Sequence, residues 1–265
     1  MMGQNWRALV ALIALLGLWI TSPVEAQEAR EVDLALVLAV DVSRSMDPDE
    51  QELQRQGFVE AFRSPLVHDA IRNGVLGRIT VTYVEWSGER DQRVVVPWST
   101  IDGPESAAEF AERLALTPIN RIFQTSISGA IDFSLGLLDR SGVEPLRRVI
   151  DLSGDGPNSS GRTVTLARDE AVSRGVTING LPIMLKRPTG FGDMEHLDWY
   201  YRDCVIGGQG AFLLPVRERE QFAEAIKTKI VREIAGLSPQ PLLQPAQAAP
   251  AMDCTTRGGW RQYNP

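Results

Sequence analysis

The most constraining feature of the sequence is a short apolar run that ends in an acidic, hydroxyl-rich segment. Seven consecutive apolar residues, Leu34 to Val40, are followed directly by Asp-Val-Ser-Arg-Ser-Met. A continuous run of Val and Leu is typical of a strand that is buried on both faces in a parallel sheet. The run is too short to span a bilayer. It therefore predicts a central strand with polar groups at its carboxyl end.

Asp41, Ser43 and Ser45 occupy alternate positions after this strand. In an extended segment alternate side chains share one face, so we expect all three to point toward one small volume. Open α/β sheets bind ligands in the crevice beyond their strand ends. Oxygen ligands of this kind suit a hard divalent cation, with Mg²⁺ expected and Mn²⁺ or Ca²⁺ as alternatives.

The rest of the chain alternates between strand-like and helix-like segments, which is typical of an α/β fold. The short link after Trp86 predicts an antiparallel hairpin, because parallel neighbours need a longer crossover. We therefore expect a doubly wound, Rossmann-like and mostly parallel sheet of about six strands, with one antiparallel edge strand and helices on both faces. The further strands are predicted at 79–86, 93–98, 148–153, 176–183 and 211–216, and the main helices at about 47–62, 103–114, 127–138, 163–174 and 218–237.

Thr125 lies at the start of a predicted helix whose apolar residues begin at Ile127. Most threonines at such positions cap the helix, and that is the simplest interpretation of this one. A hydroxyl at a helix amino terminus can also reach a cation held by a neighbouring strand end. Thr125 is therefore a second candidate ligand.

Asp155 follows the strand at 148–153 and lies between Gly154 and Gly156. An ordinary Asp-Gly turn would explain this sequence. The flanking glycines also free the backbone to place the carboxylate at the strand tip, which makes Asp155 a third candidate. Asp151 lies inside the same strand, and we expect it to be a paired structural residue.

The amino terminus has the pattern of a secretory signal. One basic residue, Arg7, precedes an apolar stretch, and Val24-Glu25-Ala26 resembles a cleavage site. A membrane anchor is the alternative, but the stretch is short for a span. We expect a signal peptide at 1–26, a domain at 27–237 without a membrane span, and a Pro-, Gln- and Ala-rich tail at 238–265. The protein is then exported, to a bacterial periplasm or the outside.

Charge and cysteines restrict the partners further. The chain has 27 basic and 34 acidic residues, a net charge of −7, and no block of Lys or Arg, which argues against nucleic acid as a partner. Its two cysteines, Cys204 and Cys254, are either two buried thiols or, in an oxidising compartment, one disulfide bond. We predict the bond, which would tether the tail beside a short aromatic helix at 197–204.

These motifs, taken in order, resemble a von Willebrand factor A-type domain. The resemblance rests on Asp-x-Ser-x-Ser after the first strand, a Thr at the start of a mid-chain helix and an Asp-Gly after the next strand, and it covers about 31–237. The run Tyr-Tyr-Arg-Asp-Cys-Val-Ile-Gly-Gly at 200–208 is similar to an exported bacterial branch of this class.

The resemblance implies a metal-ion-dependent adhesion site. By matching position, Ser43, Ser45 and Thr125 would bind the ion directly, and Asp41 and Asp155 would hold it through water. The sequence departs from the pattern twice: Gln124 stands where the family usually has Gly, and Gly154 is an extra residue before Asp155.

Such a site favours binding over catalysis. Neutral hydroxyls leave much of the ion's charge uncompensated, so an open position would attract an Asp or Glu carboxylate of another protein. We expect a monomeric, non-enzymatic interaction domain, with a metal-assisted hydrolase as the alternative. The three motifs contain no histidine, and the chain lacks the Gly-x-Ser-x-Gly and Gly-x-Gly-x-x-Gly motifs of hydrolases and dehydrogenases. A periplasmic solute receptor would need two lobes.

Overall fold

The structure is a computed structural model that describes residues 30–120, 124–186, 194–236 and 252–254. The predicted signal peptide at 1–26 and most of the predicted tail at 238–265 lie outside the described residues. Within the described part, no helix has the length and apolar character needed to cross a membrane.

The strands of the described residues are β1 (Arg30–Val32), β2 (Leu34–Asp41), β3 (Ile79–Trp86), β4 (Gln92–Ile101), β5 (Val143–Pro145), β6 (Arg148–Gly154) and β7 (Val176–Pro182). Five of them form the main sheet in the order β4-β3-β2-β6-β7, and all neighbours are parallel except β4, which is antiparallel to β3. The α/β class, the largely parallel sheet and the antiparallel edge strand are confirmed. A separate pair of short parallel strands, β1 and β5, was not predicted.

Helices cover both faces of the sheet, as predicted. The first face carries α1 (Pro48–Arg63), α2 (Pro65–Arg72), α3 (Pro104–Leu116) and α7 (Phe222–Ala235), with a 3₁₀ turn (Arg219–Gln221) before α7. The second face carries α4 (Ile127–Leu138), α5 (Val164–Ser173) and α6 (Leu197–Tyr200), which continues as a π-helix (Tyr201–Val205).

The central strand β2 shows why two faces are covered. Leu34, Leu36 and Leu38 pack into the core beneath α1 and α7, whereas Ala35 and Val37 pack into the core beneath α4. All eight residues of the strand are buried. A strand with apolar side chains on both faces can be satisfied only between two helix layers, so this strand fixes the three-layer architecture and places Asp41 at the edge of the sheet.

The prediction of about six strands was too high by one. The segment 211–216 lies beside β7 but makes only isolated bridges, Gly180 with Leu213 and Ile183 with Val216. Pro182 and Pro215 lie between the two bridges, and neither has an N–H to continue a ladder. The segment therefore follows β7 without becoming a regular strand.

The aromatic helix near the end of the domain is present, and its last part is a π-helix. Its Cys204 is fully buried and is bonded to Cys254, with 5.5 Å between the two Cα atoms. The described residues contain no free cysteine. The predicted disulfide is present in the structure, and it ties residues 252–254 to the second face of the sheet.

Asp151 is a buried structural residue, as expected. It is hydrogen bonded to the ammonium of Lys229 on α7, and the same ammonium contacts Glu233 one turn later. All three side chains are almost completely inaccessible to solvent. The contacts of Lys229 therefore link α7 to β6 in the centre of the sheet, and Asp151 is not part of the candidate site.

Candidate metal centre

The first loop of the candidate site follows β2 directly. Asp41 is fully buried, and its Oδ1 accepts a hydrogen bond of 2.7 Å from the backbone N–H of Ser43. The hydroxyls of Ser43 and Ser45 are 2.8 Å apart. The backbone N–H of Met46 donates to the carbonyl of Ser43, so the segment is a turn and not the extended strand that we expected. The three side chains converge because the chain folds back on Asp41.

The loop that begins at Asp155, after β6, is the third loop of the site, and it contacts the first loop. The hydroxyl of Ser45 donates a hydrogen bond of 2.6 Å to Oδ1 of Asp155, directly after β6. Because β2 and β6 are neighbouring parallel strands, their carboxyl ends meet at one edge of the sheet. Asp41, Ser43, Ser45 and Asp155 thus form one continuous chain of polar contacts.

The second loop carries Thr125 beside the third. The carbonyl of Thr125 accepts from the backbone N–H of Ser159 at 2.9 Å, and its N–H donates to the hydroxyl of Ser159 at 3.2 Å. The hydroxyl that caps α4 belongs to Ser126, which accepts from the N–H of Gly129. Capping therefore does not account for Thr125, and its side chain, which is 9% exposed, stays available for another role.

The backbone accommodates both departures from the family pattern, Gln124 and Gly154. Gln124 has φ = 76°, in the left-handed region that glycine adopts at little cost, so the backbone keeps the conformation that a glycine would give. A Cβ on Gly154 would lie 2.9 Å from Oδ2 of Asp41, so any other residue at this position would have to displace that carboxylate. Neither departure removes a candidate ligand from the site.

Burial disfavours the ionised forms of the two carboxylates, Asp41 and Asp155. Burial raises the pKa of Asp41 well above its usual range, and the nearby charge of Asp155 raises it further. Burial also raises the pKa of Asp155 to about 6, against the hydrogen bond from Ser45 and the positive charge of Lys186. Two buried carboxylates at one strand edge are stabilised by a cation between them.

The donor set fits a hard divalent cation. Oδ2 of Asp41 is buried and has no hydrogen-bond partner in the described part of the chain. Around it the loops supply hydroxyl and carboxylate oxygens, the ligand types of Mg²⁺, Mn²⁺ and Ca²⁺. No group of three or more His, Cys, Asp or Glu side chains that could hold a metal occurs among the described residues.

Sequence reasoning missed two residues at the site. The ammonium of Lys186 donates to the carbonyl of Ser45 at 2.6 Å and pairs with Glu50 at 2.9 Å. Glu50 in turn accepts from the N–H of Asp47 at the start of α1. Lys186 lies in the long connection after β7, where no periodicity or motif marks it. Together, these contacts fix the first loop against the start of α1.

Solved structures with a similar fold come from several proteins. Proximal thread matrix protein 1 from the mussel byssus has a TM-score of 0.54 and 13% identity over 78% of this chain and 49% of that chain. The pilus adhesin SpaC from Lactobacillus rhamnosus GG has 0.56 and 13% over 78% and 31%, and a von Willebrand factor type A protein from Catenulispora acidiphila has 0.54 and 14% over 77% and 43%. This chain therefore spans less than half the length of each of these structures.

These similarities, with the sheet order and helix layers above, define a von Willebrand factor A-type fold. At the level of sequence, the chain belongs to the family described as "Protein of unknown function (DUF1194)", whose model matches residues 31–238. No curated protein matches the sequence.

Proposed function

We propose that this protein is an exported interaction domain that binds an acidic residue of a partner protein through a divalent cation. The observation that carries the proposal is the convergence of Asp41, Ser43, Ser45 and Asp155 in one chain of contacts, with Thr125 on the adjoining loop. A cation at this point would be bound by Ser43, Ser45 and Thr125, with the two carboxylates nearby.

The exposure of these side chains indicates which side of the site faces solvent. Asp41 and Ser43 are buried, whereas Ser45 is exposed at the surface. An ion bound between them would face solvent on the side of Ser45, where a carboxylate from another protein can reach it. Mg²⁺ is the proposed ion because octahedral oxygen coordination with retained waters suits a site of few charges.

Binding rather than catalysis is proposed because the contacts of both histidines lie with other segments of the described chain. The ring of His68 is hydrogen bonded to the carbonyl of Phe62, and the ring of His196 is stacked on Trp199 with centroids 4.0 Å apart. A metal-assisted hydrolase would need a group that takes a proton from the attacking water. The name of SpaC, a pilus adhesin, describes a protein of this fold in an adhesive role, and this supports interaction as the function.

The test compares Asp41→Asn with Asp49→Asn. The first change removes the buried charge but keeps an oxygen that can accept from the N–H of Ser43. The second removes a charge from an 84% exposed aspartate on α1, as a matched control. Mn²⁺ binding is measured by electron paramagnetic resonance, and Mg²⁺ binding by competition. We expect the wild type and Asp49→Asn to bind Mn²⁺, and Asp41→Asn to lose at least tenfold in affinity.

Partner capture then uses the exported extract of the source cell, with and without chelator. A partner should be retained by wild type with Mg²⁺ and lost with chelator or with Asp41→Asn, and Asp→Asn changes in that partner should abolish retention. Chelator should leave the far-ultraviolet circular dichroism unchanged, because the two apolar cores do not depend on the site. Equal capture by all three samples would refute the proposal. Metal-dependent hydrolysis of a phosphoester, abolished by Asp41→Asn, would establish the hydrolase instead.

A further inference from the structure

Two buried polar atoms without a hydrogen-bond partner lie beside Gly154 at the end of β6. They are Oδ2 of Asp41 and the hydroxyl of Tyr201, and both are unpaired within the described residues. A Cβ on Gly154 would lie 2.9 Å from the first and 3.0 Å from the second. Because Gly154 has no side chain, the carboxylate and the hydroxyl both occupy the space beside this residue.

Tyr201 reaches this space through a slot formed by glycines on two neighbouring strands. A Cβ on Gly180 of β7 would lie 2.7 Å from Cδ1 of the Tyr201 ring, so the ring passes directly over that strand. The ring then ends beside Gly154 of β6. The residue is fully buried, and it begins the π-helix, where the N–H of Ile206 donates to the carbonyl of Tyr201 at 2.9 Å. A π-turn is a costly local geometry that is often retained at functional sites.

Packing alone does not explain why residue 201 carries a hydroxyl. A phenylalanine would fill the same space and would not bury an unpaired polar group, which is unfavourable. A tyrosine hydroxyl can donate one hydrogen bond, and a carboxylate oxygen can accept one. The hydroxyl thus faces a group with the complementary requirement.

We propose that Tyr201 is a positioning residue of the metal centre, whose hydroxyl donates to Oδ2 of Asp41, directly or through one water, when a cation occupies the site. This inference rests on the proposed function, because it assigns a role toward the same ion. The hydrogen bond orients the carboxylate of Asp41 beside the cation. Outer hydrogen bonds of this type usually change metal affinity by 10- to 100-fold.

The neighbouring Tyr200 provides a matched control. It is also buried, on the same helical segment, but its hydroxyl accepts a hydrogen bond of 3.2 Å from the backbone N–H of Asn158. The side-chain oxygen of Asn158 accepts in turn from the N–H of Ser128 at the start of α4. Tyr200 therefore stabilises the third loop, with or without an ion.

The experiment compares Tyr201→Phe and Tyr200→Phe with the wild type. Two quantities are measured: the Kd for Mn²⁺ by electron paramagnetic resonance, and the melting temperature in excess chelator by circular dichroism. We expect Tyr201→Phe to raise the Kd about tenfold or more without lowering the melting temperature of the metal-free protein. Tyr200→Phe should lower that melting temperature, because it leaves the N–H of Asn158 unpaired, and should change the Kd less.

The outcomes separate the two proposals. If the wild type binds neither Mn²⁺ nor Mg²⁺, the metal-dependent function is wrong and the role of Tyr201 is wrong with it. If the wild type binds and Tyr201→Phe binds equally well, only the role of Tyr201 is refuted. A lower metal-free melting temperature in Tyr201→Phe with an unchanged Kd would show that the hydroxyl is merely structural.

Discussion

The disulfide between Cys204 and Cys254 offers a direct test of how the domain is stabilised. The perturbation is Cys254→Ser, because Cys254 is the only partly buried member of the bonded pair, packed against the outside of the second core. Cys204 is fully buried and stays in place as a free thiol. The change therefore removes the covalent link with little other effect on the folded state.

The magnitude follows from the separation of the two cysteines, which is 50 residues. In the chain-entropy model, a link of this length restricts the unfolded chain enough to stabilise the fold by about 4 kcal/mol. For a domain of roughly 200 residues, each kcal/mol shifts the melting temperature by about 2–4 °C. Loss of the bond should therefore lower the melting temperature by roughly 8–16 °C.

Differential scanning calorimetry of the wild type and Cys254→Ser, each with and without reductant, measures this shift. Reductant should lower the melting temperature of the wild type toward that of the variant and leave the variant unchanged. Thiol labelling of the unreduced, denatured wild type should find no free thiol. Two labelled cysteines, or a wild-type melting temperature that neither reductant nor the substitution lowers, would refute the reasoning.

Two further predictions concern single residues away from the disulfide. Gln124→Gly should raise the free energy of unfolding by up to about 1 kcal/mol, because φ = 76° is costly for glutamine and not for glycine. Chemical denaturation measures this free energy, and a lower value in the variant than in the wild type would contradict the prediction. Burial and the charge of Asp151 raise the pKa of Glu233 to about 8, above its value near 4.5 in the unfolded chain, so the folded state binds more protons between these pH values. The free energy of unfolding should then fall as pH rises through this window. Glu233→Gln should reduce that fall by on the order of a few kcal/mol between pH 5 and pH 8, as measured by urea unfolding in chelator. Identical pH profiles of the wild type and the variant would argue against the prediction.

The fold was predictable wherever local pattern and global packing agree. The apolar run of β2 permits only a strand covered on both faces, and the short link after Trp86 permits only a hairpin. The segment 211–216 was the error, because its apolar pattern is that of a strand while the prolines at 182 and 215 prevent a continuous ladder. The three-residue strands β1 and β5 are too short for any periodicity to predict them.

The candidate site was predictable to the extent that its residues lie next to strand ends. Asp41 ends β2 and Asp155 follows β6, so the topology alone brings them to one edge of the sheet. The contacts of Lys186 and Tyr201 could not be predicted, because each depends on how a distant segment crosses the sheet. Tyr201 did belong to a run that the sequence singled out, but nothing in that run shows which of its two tyrosines faces Asp41.

The disulfide also determines how the molecule would carry a mechanical load. A pull on the chain beyond Cys254 passes through the bond to Cys204 and does not pass along the polypeptide between them. The helix α7, which packs on α1 and α2, lies wholly inside this closed ring, so its backbone is not part of the covalent path of the load. The load enters instead at the π-helix, next to Tyr201 and the strand edge that carries Asp41. A domain anchored at its tail would thus transmit force to the edge of its sheet while its last helix stays in place.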